Sequence, residues 1–492
     1  MIKRALQHLK NTFRDNPADL VLLAVVLPAA WLLRQWWIET IPTEQLYDFS
    51  TYYEVAVNIS QGMGYTFLGQ PIAFQGMGYS ILLGYFLRFM GDTSELTAKY
   101  FNVLLSMWTL LMTYLIAWRM SPKRLVRWGA LLFMAFMPQQ IAYTNAIGTE
   151  ILSAALLSTL MLVQCSGDLL KGRVQWPLAG ALTAALALTK PFYLAYPVAI
   201  LFYEWLTRKD LKRGLAGALV AAVVMVLIVA PWTYRNYRHF GRLIPVSYNS
   251  GLVLYLNNNA DNTHGGYMPL DQIKATPELE ARIVEHLENG AKSIKLASDL
   301  ELDLKPAAQA WIKENPGEFA KLGIIRVHST FFNGSWDVDA WTMNEYKTLE
   351  TERTEVETLR HLAFFRSIND IVLAVLGGTG LLYFLTNLPL FFRALFSLKR
   401  VIGWQAALLM LPVGYNGLMI LIYEGQPRYN FNLLFVFVLV AVLAAQKLLD
   451  AAGREAQFVE DLPESGVRIK SRTKTRTRSG KSSGTSARPV KS

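Results

Sequence analysis

The stretch GLAGALVAAVVMVLIVAPWTY, residues 214–234, decides the fold class. It carries no charged residue from end to end. A helix rises about 1.5 Å per residue, so such a run reaches across a hydrocarbon core of roughly 30 Å. Arg208, Lys209, Lys212 and Arg213 stand before it; Trp232, Tyr234 and Arg235 close its far end. Cations on one side and interfacial aromatics on the other are the flanks of a membrane-crossing helix.

Working outward, similar apolar blocks occupy roughly 18–38, 97–118, 128–146, 149–165, 176–190, 191–206, 368–388, 403–423 and 430–447. With 214–234 they make about ten spans. The 52% hydrophobic share of the 492 residues is gathered in these blocks, and Trp31, Trp36, Trp37, Trp118, Trp128 and Trp205 mark their ends. The expected class is an all-α polytopic membrane protein, a bundle of about ten transmembrane helices. Arg34 and a Trp pair follow the first apolar run with no small-residue cleavage site, which argues against a signal peptide.

Short loops set the orientation. The N-terminus holds Lys3, Arg4, Lys10 and Arg14; the 119–127 loop holds Arg119, Lys123, Arg124 and Arg127. Lys171 and Arg173, the 207–213 cations, and Arg393, Lys399 and Arg400 fall in alternating loops. Both termini are then expected on the cytoplasmic side of the cell (cytoplasmic or inner) membrane. Two segments face outward: 39–96, with short stretches and Gly-rich breaks, and the larger 235–367. The stretch 80–90 is too short to span and reads as a helix lying on the membrane surface. The expected division is a membrane domain over 1–448 and a basic, disordered tail over 449–492. Net charge is +11, but residues 465–492 alone hold nine Lys or Arg and no acid. The body is therefore close to neutral, and no nucleic-acid partner is expected. The single Cys165 lies in an apolar block and cannot form an intrachain disulfide.

Five ionisable residues, Asp48, Glu150, Lys190, Arg235 and Arg428, fall at or just beyond span ends, all on the outward side. Asp48 sits between aromatics at a membrane surface, where partial desolvation suits a base. Lys190 interrupts two apolar blocks, and Pro191 after it should break the helix. Arg428 is an outward cation in a very short loop, with a planar fork suited to phosphate. Glu150 opens a span and can either cap it or pair with Lys190. One acid near several cations at a membrane surface fits chemistry on a lipid-linked phosphate. Asp337-Val338-Asp339 matches an Asp-x-Asp metal pattern that also arises by chance. The sequence has no His-Glu-x-x-His, Walker A loop or Gly-x-Ser-x-Gly, which argues against a zinc protease, an ATP-driven pump and an α/β-hydrolase.

Five pieces in order carry a family resemblance. They are Tyr47-Asp48 with Tyr52, Ala56, Asn58-Ile59 and Gly62-Met63-Gly64-Tyr65; Gly148-Thr149-Glu150; Leu188-Thr189-Lys190-Pro191; Pro231-Trp232-Thr233-Tyr234-Arg235-Asn236-Tyr237; and Gly425-Gln426-Pro427-Arg428-Tyr429. Over residues 15–448 the chain resembles the polyprenyl-phosphate-sugar-dependent glycosyltransferases of the GT-C fold. It is similar to the protein mannosyltransferases and the lipid A aminoarabinose transferases. The resemblance implies a mannosyltransferase-like hexosyl- or pentosyltransferase with Asp48 as catalytic base and inversion at the sugar. Arg428, Lys190 and Arg235 would bind the donor phosphate; Tyr53, Glu150 and Tyr429 would contact substrate. It implies a polyprenyl-phosphate-linked sugar donor and a glycan, lipid or protein acceptor. A monophosphate leaving group needs only cations, so no metal is required, although a divalent ion has weak support. Position 49 is Phe where related enzymes often carry a second acid, and Gln75-Gly76-Met77-Gly78-Tyr79-Ser80 stands where many carry Pro-Pro-Gly-Tyr-Pro. The competing readings are a transporter or flippase of lipid-linked sugars and a catalytically silent scaffold. The first predicts charges within spans and repeated halves, and the sequence shows no repeat.

Overall fold

The computed structural model describes residues 16–290, 294–332, 334, 338, 341–342 and 363–460. The basic tail beyond 460, the N-terminal cations up to 15, and Asp337 and Asp339 lie outside the described residues. The chain divides into two compact units, Met1–Gln446 and Lys447–Ser492. The site lies in the first.

The described residues are almost entirely helical. In chain order the α-helices are α1 Pro17–Thr40, α2 Asp48–Ser60, α3 Gly78–Met90, α4 Glu95–Met120, α5 Arg124–Phe136, α6 Pro138–Ala142, α7 Thr149–Cys165, α8 Gly172–Thr189, α9 Pro197–Arg208, α10 Leu211–Phe240, α11 Ser250–Asn257, α12 Pro277–Gly290, α13 Ile294–Glu314, α14 Pro316–Phe331, α15 Ala363–Phe396, α16 Trp404–Ile422 and α17 Leu434–Glu460. Short 3-10 turns cover Tyr143–Asn145, Pro191–Ala195, Leu270–Gln272 and Pro427–Leu433. A two-stranded hairpin, β1 Thr66–Phe67 with β2 Gln70–Pro71, pairs Thr66 with Pro71.

Among the described residues six helical segments are long and apolar enough to cross a membrane: Pro17–Thr40, Glu95–Met120, Leu211–Phe240, Ser367–Phe396, Trp404–Ile422 and Pro427–Ala452. The chain is a polytopic membrane protein. The other four apolar blocks are carried by shorter or interrupted helices, and proline explains most of the interruptions. Pro138 starts a new short helix after α5, and Pro191 opens a 3-10 turn where α8 stops. Lys190 between them is extended, with φ −131° and ψ 105°, as a residue before proline prefers.

The span faces show which sides meet lipid. On α10, Leu215, Leu219, Val223, Val226 and Leu227 are exposed, while Ala221, Met225 and Val229 are buried. A soluble protein would not leave such an apolar stripe open; hydrocarbon makes it neutral. The inner core is built on α4 and α7. These pack together, with α1 and α5 against α4 and α8 against α7. In α3, Tyr79, Leu83 and Leu87 are buried while Leu82, Tyr85 and Phe89 are exposed, two apolar faces on one short helix. The 427–433 turn packs between α7 and α14, and α2 packs on α3. These two placements bring the start of α2 and the 427–433 turn together.

Candidate active site

Asp48 is the first residue of α2, and the residue before it is unusual. Tyr47 has φ 51° and ψ −117°, a left-handed backbone that a bulky residue rarely adopts. Such strain persists only where surrounding contacts fix it. Here the Tyr47 and Phe49 rings both pack edge-on against Trp341, at 6.0 and 5.4 Å between centroids. The turn between them directs Asp48 inward. Its Oδ2 accepts a hydrogen bond from Nη2 of Arg428 at 2.9 Å, and Oδ1 accepts one from Nε2 of Gln75 at 2.7 Å. The Asp48 side chain is still 37% exposed, against 12% for Arg428.

Arg428 is held by aromatic faces. Its guanidinium carbon lies 5.7 Å from the rings of Phe49 and Trp341 and 5.4 Å from that of Tyr429. Cation–π contacts of this kind hold a charge in place without neutralising it. Among the described residues its buried Nε has no hydrogen-bond partner.

A second ion pair lies beside the first. Lys190 Nζ donates to Glu150 Oε1 at 3.0 Å, both side chains nearly buried. Glu150 is in the first turn of α7, and Lys190 follows the last residue of α8. The Lys190 ammonium also stands 5.4 Å above the Tyr429 ring. Tyr429 in turn donates its hydroxyl to Glu424 at 2.7 Å, and Gln426 donates its amide to the other oxygen of Glu424. The two pairs are thus joined through Tyr429.

The turn bearing Arg428 is clamped from outside. Gly425 N–H donates to Gly265 O at 3.2 Å, and a Cβ at Gly425 would fall 2.4 Å from the Arg326 Cα, so only glycine fits. Arg326 is wholly buried and donates to the carbonyls of Asn257, Gly265, Leu421 and Ile422 and to Asn258 Oδ1. With carbonyls rather than a carboxylate around it, burial draws its guanidinium down to about 10, and Glu424 opposes that shift. Tyr267, exposed nearby, has its phenol pushed up by partial burial and then by the charges of Glu424, Asp271 and Asp48.

Four of the expected residues therefore meet Asp48 or its neighbours: Arg428, Tyr429, Lys190 and Glu150. Two do not. Arg235 gives Nη1 to Ile72 O at 2.7 Å and Nη2 to Tyr65 O at 2.8 Å, and lies 4.7 Å over the Trp232 ring. Its donors are committed to the loop around β1 and β2, away from Asp48. Tyr53 donates to Thr93 O and faces Glu95 and Asp92, which raise its phenol after burial does. Helical geometry explains the miss. Residues four apart share a face, so Tyr52 rather than Tyr53 lies under Asp48. Burial and the charges of Asp48 and Glu150 push the Tyr52 phenol well above its usual range.

Gln75, Trp341 and Glu424 complete the site and were not anticipated. Glu424 had a legible signal, an acid one residue before the Gly425-to-Tyr429 motif. Gln75 opened the stretch that departs from Pro-Pro-Gly-Tyr-Pro, but neither it nor Trp341 had a local signal saying which residue it reaches. Among the described residues no cluster of three or more His, Cys, Asp or Glu could hold a metal ion.

No family model and no curated protein matches the sequence. Solved structures align with the chain at low identity. The archaeal oligosaccharyltransferase AglB from Archaeoglobus fulgidus, in complex with an inhibitory peptide and a dolichol-phosphate, aligns with a TM-score of 0.49 and 14% identity over 93% of this chain and 53% of its own. ArnT from Cupriavidus metallidurans bound to undecaprenyl phosphate aligns with a TM-score of 0.43 and 13% identity, over 91% of this chain and 81% of its own. The chain spans about half the length of the oligosaccharyltransferase it matches.

Proposed function

We propose that the chain is an integral-membrane glycosyltransferase. It moves a sugar from a polyprenyl-phosphate donor to an acceptor hydroxyl at the outer membrane face, with inversion. The observation that carries this reading is the meeting of Asp48 and Arg428 at 2.9 Å across 380 residues of sequence. They meet beside a second acid–base pair at a span end.

The groups divide the reaction between them. The donor lipid lies in the bilayer, which brings its phosphate to the level of Arg428 and Lys190. Arg428 leaves Asp48 Oδ2 for the phosphate oxygens, where its unpartnered Nε also finds an acceptor. That exchange frees Oδ2. Asp48 then takes the proton of the acceptor hydroxyl as the acceptor oxygen bonds to the anomeric carbon from the opposite side. The bond from that carbon to the phosphate oxygen breaks, and its electron pair stays on the phosphate. Arg428 stabilises the charge that grows there, a task worth most in a site closed to water. Lys190 adds a second positive centre at fixed distance, held by Glu150. The charges needed for a monophosphate are thus side chains of the protein.

Membranes containing the protein, given a panel of radiolabelled polyprenyl-phosphate sugars, test this reading. Label is expected in a glycan, lipid or protein fraction with wild type and not with Asp48→Asn at equal protein level. Equal transfer by both would remove Asp48 as the base. No transfer by wild type from any donor would favour a carrier or a silent scaffold.

A further inference from the structure

The two oxygens of Asp48 hold partners of different kinds. Arg428, on Oδ2, keeps a buried Nε without an acceptor among the described residues. Gln75, on Oδ1, is fixed in place. Its side chain is buried, and the chain after it presses onto the end of α8. A Cβ on Gly76 would stand 2.4 Å from Thr189 O and 2.7 Å from Leu188 O; one on Gly78 would stand 2.4 Å from Thr189 Oγ1. Only residues lacking Cβ allow so close an approach. The next two residues lock the loop on its other side. Tyr79 is wholly buried and donates to Asn102 at 2.7 Å, and Ser80 donates to Tyr52 O in the helix that bears Asp48.

We propose that Gln75 is a positioning residue for Asp48. It fixes Oδ1 and the plane of the carboxylate, so that Oδ2 faces the acceptor hydroxyl once Arg428 has moved to the phosphate. This rests on the glycosyl-transfer reading above. The chemistry of the amide suits the task. A carboxylate only accepts, so the amide must turn its N–H₂ towards Asp48. A neutral donor orients the base without pairing off its charge, as a second arginine or lysine would. Phe49, the neighbour in sequence, is packed on Trp341 and offers Asp48 no polar contact.

Two substitutions in the purified full-length chain test it, with a donor that supports wild-type transfer. Gln75→Met keeps length and volume and removes the donor. Its kcat is expected to fall about tenfold, the effect of one hydrogen bond to a charged group, with donor KM within about twofold and an unchanged unfolding temperature. Gln75→Glu sets a second carboxylate at hydrogen-bonding distance from the first, and its kcat is expected to fall about a hundredfold, because two such charges repel. A wild-type kcat in Gln75→Met would show that the side chain only fills space and overturn the proposal alone. A raised donor KM with unchanged kcat would make Gln75 a donor contact and overturn it equally. Wild type inactive with every donor would take down the glycosyl-transfer reading and this proposal with it.

Discussion

Two Asp–Arg pairs lie on either side of α1 in the chain: Asp19 stands in its first turn, and Asp48 opens the next helix after it. Asp19 is wholly buried and accepts from Arg127 Nε at 2.7 Å and Nη2 at 3.0 Å, from Trp128 Nε1 at 2.7 Å and from the Tyr114 hydroxyl at 3.0 Å. Arg127 also lies 4.6 Å over the Trp118 ring. Asp48 is partly open, has one donor on each oxygen, and faces an arginine with a donor to spare. The same two residue types therefore make a closed joint in one place and a partly open pair in the other. What separates them is the number of remaining hydrogen-bonding sites, not the distance between the charges.

The sharpest way to break this comparison is to neutralise each acid in turn. Asp48→Asn is expected to lower transfer about a thousandfold, within the range for a lost general base, with a smaller loss of stability than at Asp19, because Asp48 is partly exposed and Arg428 keeps the faces of Phe49, Trp341 and Tyr429. Asp19→Asn leaves the Arg127 charge buried without a counter-ion, which costs about 3 kcal/mol of stability. The folded fraction of Asp19→Asn should retain wild-type kcat. Thermal unfolding in detergent beside transfer assays separates the two outcomes. An Asp19→Asn protein that is stable and inactive would reverse the roles of the two pairs.

The partner side of the open pair comes next. Arg428→Lys keeps the charge and loses the fork and its stacking on Phe49, Trp341 and Tyr429. Transfer should fall about a hundredfold, as when one preorganised donor to a developing oxyanion is removed. Part of the loss should appear as a higher donor KM. If lysine supports wild-type rates, the planar fork has no role and the exchange of partners proposed for Arg428 fails.

Much of the open pair's surroundings was legible in the sequence. Asp48, Glu150, Lys190 and Arg428 stood out because charge beside an apolar span is expensive, and the fold brings the four together. The spans 214–234 and 97–118 fell where hydropathy put them. The break at Pro191 followed from its missing N–H. The closed pair was not legible, because Arg127 looked like one more cytoplasmic loop cation. Its place in α5, against Asp19, depends on tertiary packing that no local pattern carries. Arg235 illustrates the reverse case. It has the same span-end placement as the site residues, but backbone carbonyls of the 65–72 loop take up its donors.

Glu150 and Lys190 are intermediate: buried like the first pair, adjacent to the second. Glu150→Gln strands a buried ammonium and should cost about 2–3 kcal/mol, less than Asp19→Asn because Lys190 keeps the face of Tyr429. The double change Glu150→Leu with Lys190→Met should recover most of that stability, since apolar residues of similar size replace buried ion pairs with little loss. Transfer separates structure from chemistry here. A stable, inactive double variant would mean the Lys190 charge acts on the phosphate. A stable, active one would place the pair with Asp19 and Arg127 as a joint.

The smallest effect is expected from metal removal, and it tests whether the open pair is open to cations as well as to phosphate. Each described carboxylate of the site already holds donors: Asp48 those of Gln75 and Arg428, Glu150 that of Lys190, Glu424 those of Tyr429 and Gln426. A divalent ion takes several carboxylate or carbonyl oxygens with free lone pairs directed at one point. To gather them here it would have to displace buried or partly buried N–H and O–H donors and leave each unsatisfied, at a cost of about 1–3 kcal/mol apiece. Treating membranes with a chelator, followed by transfer assay with and without added Mg²⁺, Mn²⁺ or Ca²⁺, should change the rate by no more than about twofold. A large loss restored by one of these ions would mean that Asp48 or Glu424 changes partner to a cation during the reaction. The contrast between the two pairs would then rest on a metal as well as on spare hydrogen bonds.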